Sequence, residues 1–272
     1  METNESFIEW FLEEAKKQNV HLQFILREDL QIGLIDNRQS LTYQGKPITI
    51  PNFAVVRTVE PLLNKHLETL GIRTFNSYEI SSLCNHKMKT YYAMNKLKIP
   101  VMNTLSIKRN HKLDKPPFPF PFVLKEATGR GGEQVHFVKN EQMWDNIFAK
   151  LTTEDVVIQT TNVQLGKDLR VYVMGKDILC AILRESKGKF RANFTLGGSA
   201  TLYELSQAEK RLIKKIVNHY DFDFVGIDFL INHEGNLVLN EIEDVVGSRM
   251  ISAVTDINTL ELYVSHIKRQ LS

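Results

Sequence analysis

No stretch of this 272-residue chain is apolar for anything near the roughly 20 residues that a membrane span needs. The first six residues, Met1 to Ser6, are polar and acidic, not basic and then apolar as in a secretory leader. Cysteine is scarce, with Cys84 and Cys180 alone. One pair adds little to a secreted fold of this size, so the expectation is free, buried thiols in a reducing cytoplasm. Charge of one sign is missing too: 34 basic residues face 32 acidic ones, for a net charge of +2. No global field draws the chain to nucleic acid or to a membrane, neither is an expected partner, and any anion site must be local. There is no internal repeat, and neither GxxxxGK[ST] nor GxGxxG occurs. What remains is an ordinary soluble composition, 43% hydrophobic and 24% charged, long enough for one large domain or two to three small ones.

The most informative stretch runs from Phe224 to Leu230 and, after His233-Glu234-Gly235-Asn236, from Leu237 to Glu243. Apolar, β-branched runs around a four-residue, Gly-containing connection predict a β-hairpin. Glu241 and Glu243 stand two apart and leave one face of a strand, and Asp228 on the partner strand can lie beside them. Carboxylates gathered among apolar residues repel one another unless a hard cation such as Mg²⁺ sits between them. The alternative is an edge strand whose outer carboxylates face water.

Upstream, Phe7, Ile8, Phe11, Leu12 and Ala15 recur at helical spacing between Ser6 and Gln18. Strand-like runs at Leu22–Leu26, Gly33–Ile35 and Phe53–Val56 precede a helix from Val59 to Leu70, with Gly71 as its C-cap, and a strand over Ile72–Asn76. That alternation predicts a small, mainly parallel α/β domain ending near residue 80. Ser77 caps a short helix over Tyr78–Cys84, and another helix covers Lys87–Leu97. Lys115 to Phe122 holds four of the eight prolines and reads as a stiff lead-in to a strand over Val123–Lys125, in preference to a proline-motif docking site. Further strands are expected at Val135–Val138, Val156–Gln159, Leu169–Val173 and Asp177–Leu183, with helices over Glu141–Leu151, Ser206–Tyr220 and Ile257–Leu271.

Between two of these strands lies Thr128-Gly129-Arg130-Gly131-Gly132, whose backbone N–H groups and guanidinium suit a phosphate chain, although such a cluster also serves as a plain turn. Lys125, inside the apolar Phe-Val-Leu-Lys strand, needs an anionic partner if it faces inward. Arg170, Arg184 and Arg191 alternate with apolar residues on consecutive segments. Three guanidiniums near one sheet face make a cradle for phosphate and carboxylate; taken singly, each also reads as a solvated surface arginine.

The order of these parts, a strand Lys, a Gly-rich loop, a strand-end Gln, Asp-x-Arg, Arg-x-Asn, Gly-x-Asp and Glu-x-Glu, resembles the ATP-grasp superfamily, and within it the RimK-like carboxylate–amine ligases. The most specific stretches are Lys167-Asp168-Leu169-Arg170, Phe190-Arg191-Ala192-Asn193, and Gly226-Ile227-Asp228 with Asn240-Glu241-Ile242-Glu243. The resemblance covers nearly the whole chain. It implies an α/β (α+β ATP-grasp) fold: a small parallel α/β domain over residues 1–84, a lobe with the Gly-rich loop over 85–158, and a C-terminal lobe with the metal site over 159–272, the two lobes clamping ATP. It implies an ATP-dependent ligase that joins a carboxylate to an amine through an acyl phosphate, with small-molecule or peptide substrates and a possible homo-oligomer. A nucleotide-binding module without ligase chemistry is the alternative.

The family pattern implies roles for single residues. Lys87 and Lys125 reach the phosphates, and Thr128, Gly129, Arg130, Gly131 and Gly132 close over them. Gln159, Thr160 and Thr161 form the hinge at the adenine, with Asp168 at the ribose. Arg191, Asn193 and Arg184 serve catalysis, Asp228, Glu241 and Glu243 hold Mg²⁺ or Mn²⁺, and Arg170 and Arg249 meet substrate. Three departures stand out. The family usually has Asn where Glu243 stands and often Glu where Thr160 stands, and its Ser/Thr-Pro-Gly is replaced by Asp244-Val245-Val246-Gly247-Ser248-Arg249. Arg249 is expected either to bind a substrate carboxylate or to pair with Asp244 or Glu243.

Overall fold

The computed structural model describes residues 4–111, 113–129, 134–186, 190 and 198–272. The chain opens with helix α1 (Asn4–Lys17), whose Phe11 and Ala15 are buried. A three-stranded sheet follows, β1 (Leu30–Ile35), β2 (Arg38–Tyr43) and β3 (Lys46–Pro47), then β4 (Phe53–Val55), α2 (Pro61–Thr69) and β5 (Arg73–Phe75). Only β4 and β5 are parallel; β1–β2–β3 is an antiparallel meander, which corrects the mainly parallel reading of this region. The reason is in the turns. Asp36 and Asn37 take φ of 49° and 59°, and Gln44 and Gly45 take 50° and 74°, the left-handed pairs that close two-residue hairpins. Leu22–Leu26 is not a strand, because it has no partner to pair with, and Phe24 and Leu26 are about half exposed.

Helices α3 (Tyr78–Cys84, capped by Ser77) and α4 (Lys87–Lys96) lead to a four-stranded sheet in the order β6 (Thr104–Lys108), β9 (Asp155–Thr160), β7 (Phe122–Glu126), β8 (Val135–Val138), backed by α5 (Glu141–Phe148). Phe122, Leu124, Val156 and Ile158 project from alternate positions onto Trp144 and Phe148 of α5.

The largest sheet has five antiparallel strands in the order β12 (Ser199–Leu202), β11 (Asp177–Glu185), β10 (Val163–Met174), β13 (Phe224–Asn232), β14 (Leu237–Glu243). Its period-2 alternation serves two cores. Leu169, Val171 and Val173 pack with Ile213, Ile216 and Val217 of α6 (Gln207–His219) and with Met88, Tyr91 and Met94 of α4. Tyr172, Ile182 and Phe224 point the other way, onto α1, α7 (Arg249–Val254) and α8 (Thr259–Leu271). Strands β6 and β12 and helix α7 carry too few periodic residues to stand out in the sequence. Among the described residues no helix is long and apolar enough to cross a membrane.

Gly226 of β13 is a close approach. A methyl there would lie 2.8 Å from the buried Val246 Cγ2 and 3.6 Å from Arg170 Cδ. Gly226→Ala should therefore cost about 1–3 kcal/mol by overpacking, read as a lower denaturant midpoint at unchanged slope.

Candidate active site

The hairpin β13–β14 pairs Asp228 with Glu241 and Gly226 with Glu243, so the three carboxylates share one face. One oxygen from each of Asp228, Glu241 and Glu243 lies within 4.8 Å of the others. A register shift between Asp228 and Phe229 leaves Asn240 outside the pairing. Such irregularities re-aim side chains. Here Asn240 Oδ1 accepts from Lys125 Nζ at 3.3 Å.

The neighbouring strand β10 places Arg170 directly opposite Asp228. Its Nε and Nη2 donate to the two oxygens of Asp228, each at 2.6 Å, and Nη2 also stands 2.8 Å from Glu243. Arg184, opposite Asp168 on β11, donates Nη2 to Asp228 at 2.8 Å and Nε to Asp168. All four of Asp168, Arg170, Arg184 and Asp228 are buried. Burial alone would raise the Asp228 carboxyl, but Arg170 and Arg184 outweigh it and hold the group at about 2. Burial, with Asp228 beside it, leaves Asp168 above its ordinary value despite Arg184. Burial and the two neighbouring carboxylates likewise push Glu241 up. The sequence reading assigned Asp168 to a ribose, Arg184 to catalysis and Arg170 to substrate. In the structure their partners are one another and the chain's own carboxylates.

On the opposite wall, Lys125 is buried, its Nζ 3.1 Å from the Tyr91 hydroxyl. Burial pushes this lysine down to about 8, and Glu241 pulls part of the shift back. Lys87, in the first turn of α4, donates to the Gly129 carbonyl at 2.7 Å and so touches the start of the Gly-rich loop. Thr128 is exposed. Gln159 is buried and donates to Thr104 Oγ1 at 2.8 Å, tying β9 to β6. The Thr160 N–H donates to the Asn103 carbonyl, and the Thr161 hydroxyl to the Pro121 carbonyl. Arg249 is exposed at the first turn of α7, while Asp244 accepts from Asn85 and Glu243 faces Arg170. Arg130, Gly131, Gly132, Arg191 and Asn193 lie outside the described residues. Beside the loop a groove of about 610 Å³ is lined by Leu62, Tyr78, Asn85, His86, Lys89 and Thr128 among others.

Two contributors escaped the sequence reading. Tyr91 stands four residues after Lys87 and so shares its helix face, a spacing that was available. Asn240 sits inside the predicted hairpin, but only the register shift turns it to Lys125.

The donor set suits a hard divalent cation. It consists of carboxylate oxygens alone. Asp228, Glu241 and Glu243 crowd three carboxylates onto one largely buried face, a repulsion that a divalent ion between them would offset.

The model of the RimK-like ATP-grasp domain matches residues 84–267. Human N-acetylaspartylglutamate synthase A is 26% identical over 251 residues, covering 86% of this chain and 64% of that one. The glutamate–LysW ligase ArgX of Sulfurisphaera tokodaii is 26% identical over 220 residues, 76% of each chain. The chain thus spans just under two thirds of the length of the human synthase. Among solved structures, the RimK domain ATP-grasp protein of Sphaerobacter thermophilus superposes with a TM-score of 0.72 at 14% identity, covering 98% of this chain and 96% of that one. The ATP-grasp ligase PsnB, complexed with a precursor variant, Mg and ADP, gives 0.70 at 14% identity, covering 100% and 97%. The fold is that of the ATP-grasp ligases, and with the family's model matched over most of its length, this chain belongs to the RimK-like ATP-grasp family.

Proposed function

We propose that the chain is an ATP-dependent carboxylate–amine ligase. The observation that carries the reading is the convergence of Asp228, Glu241 and Glu243 across from Lys125, with Lys87 already touching the Gly-rich loop. In this reading residues 85–158 and 159–272 are the two lobes that clamp ATP, and residues 1–84 flank them. Lys87 and Lys125 bind the phosphates, Thr128 to Gly132 close over them, and Gln159 to Thr161 form the hinge along the base. Asp228, Glu241 and Glu243 hold Mg²⁺ or Mn²⁺, which when bound offsets charge on the phosphates. A substrate carboxylate forms a bond to the γ-phosphorus as ADP leaves, giving an acyl phosphate; an amine then forms the C–N bond as phosphate departs. Arg191 and Asn193 stabilise the transferring group, Arg184 serves catalysis by holding Asp228 in place, Arg170 lies beside the phosphates, and Arg249 is the candidate for a substrate carboxylate. Asp168 acts here through Arg184, not at the ribose. Because water would hydrolyse the acyl phosphate, loop closure is part of the chemistry. Glutamate is the first substrate to try, on the names of the human and archaeal relatives.

The test is ADP release from Mg-ATP with pooled amino acids and carboxylated peptides, followed by mass spectrometry. The expected result is ADP together with a new amide mass, both reduced roughly a hundredfold or more in Glu241→Ala. ATP binding without turnover on any acceptor would favour a binding module instead.

A further inference from the structure

Arg170 bridges two of the three carboxylates that the proposed function assigns to a metal, and the inference here rests on that assignment. Its guanidinium takes both oxygens of Asp228 at 2.6 Å and stands 2.8 Å from Glu243. Arg184 differs: it reaches only Asp228 of the trio and is anchored by Asp168, outside it. A cation bound among Asp228, Glu241 and Glu243 competes with Arg170 for both oxygens of Asp228 and for Glu243, and repels the guanidinium at that distance. We infer that Arg170 is the resident counter-cation of these carboxylates, so that a bare divalent ion must displace it and binds the nucleotide-free chain poorly.

The geometry also says what would relieve that competition. Arg170 is buried, and a buried guanidinium released from Asp228 and Glu243 needs another anion. A ligand that carries phosphate together with the metal supplies one, whereas a bare ion does not. Metal and nucleotide should therefore load together, with Arg170 passing from carboxylate to phosphate while Arg184 stays on Asp168 and Asp228. Glu243 is part of this device. Where the family usually has Asn, an amide could not form the ion pair that Arg170 makes here.

The probe is Mn²⁺, its free fraction followed by electron paramagnetic resonance, with wild type, Arg170→Gln and Arg170→Lys, each with and without ADP. Without ADP, Arg170→Gln should bind Mn²⁺ about tenfold more tightly than wild type, a difference of about 1.4 kcal/mol. Arg170→Lys, which keeps the charge but loses the fork, should fall between them, and it decides the matter if the glutamine variant fails to fold. With ADP present the gap should shrink, because wild type then has an alternative partner for its guanidinium. Folded Arg170 variants that bind bare Mn²⁺ no better than wild type would overturn the inference and leave the metal site standing. Absence of Mn²⁺ binding in every protein, even with ADP, would remove the metal site and this inference with it.

Discussion

Asp228→Ala should lose about 3–5 kcal/mol of folding stability in addition to all ADP release, because it takes the shared partner from two buried guanidiniums at once and leaves Arg170 only Glu243 and Arg184 only Asp168 among these carboxylates. Arg170 and Arg184 are 8% and 5% exposed, and three of their hydrogen bonds end on this one carboxylate. Against a typical total of about 5–15 kcal/mol, such a loss moves the urea midpoint far enough to measure without ambiguity. Asp228→Asn keeps one acceptor and should be intermediate in stability, yet it should be as inactive as the alanine variant if the carboxylate is needed for a metal. A midpoint for Asp228→Ala equal to that of wild type would mean that the arginines are not held as the structure shows. The pH dependence has a definite sign. Asp228 titrates at about 2 when folded against an ordinary 3.8, so its contribution is complete above 3.8 and is lost as pH falls towards 2. Arg170 and Arg184 are what make the protein tolerate a buried carboxylate at neutral pH.

That dependence also marks the limit of what the sequence revealed. The hairpin was legible because both of its strands are apolar runs around a short turn, and the spacing of Glu241 and Glu243 put both on one face. The partner of Asp228 was not legible, since Arg170 lies 58 residues away and alternation says only which face it shares. Nor could composition tell whether Arg170 and Arg184 wait for a substrate or already hold a carboxylate; that depends on the pairing of β10 with β13 and β11. In the first domain the apolar runs were visible, but the hairpins of β1–β2–β3 follow from Asp36-Asn37 and Gln44-Gly45. Those are turn residues, whereas the eye follows the hydrophobic periods. Leu22–Leu26 shows the converse error, an apolar run without a partner strand.

Lys125 should make nucleotide capture fail on the alkaline side well before an ordinary lysine would. Burial holds this amine at about 8 against 10.5, so kcat/KM for ATP should fall about tenfold per pH unit above 8, reaching roughly a hundredfold by pH 10. Lys125→Arg keeps its charge across that range and should give a flat profile, whatever its absolute rate. A wild-type profile that stays level to pH 10 would mean either that Lys125 does not meet the phosphates or that its site is wetter than the structure shows. The two are separable through Glu241, whose charge is the favourable influence on the lysine. Glu241→Gln removes that charge and leaves desolvation unopposed, so the pH at which the Lys125 ammonium itself loses its proton, followed by NMR in the nucleotide-free protein, should drop below 8 if the lysine is buried as described. In kcat the break should move the other way. Bound phosphate stabilises the ammonium, so the complex must reach a higher pH before Lys125 gives up its proton, and the distance between the two breaks measures how strongly the lysine holds the nucleotide.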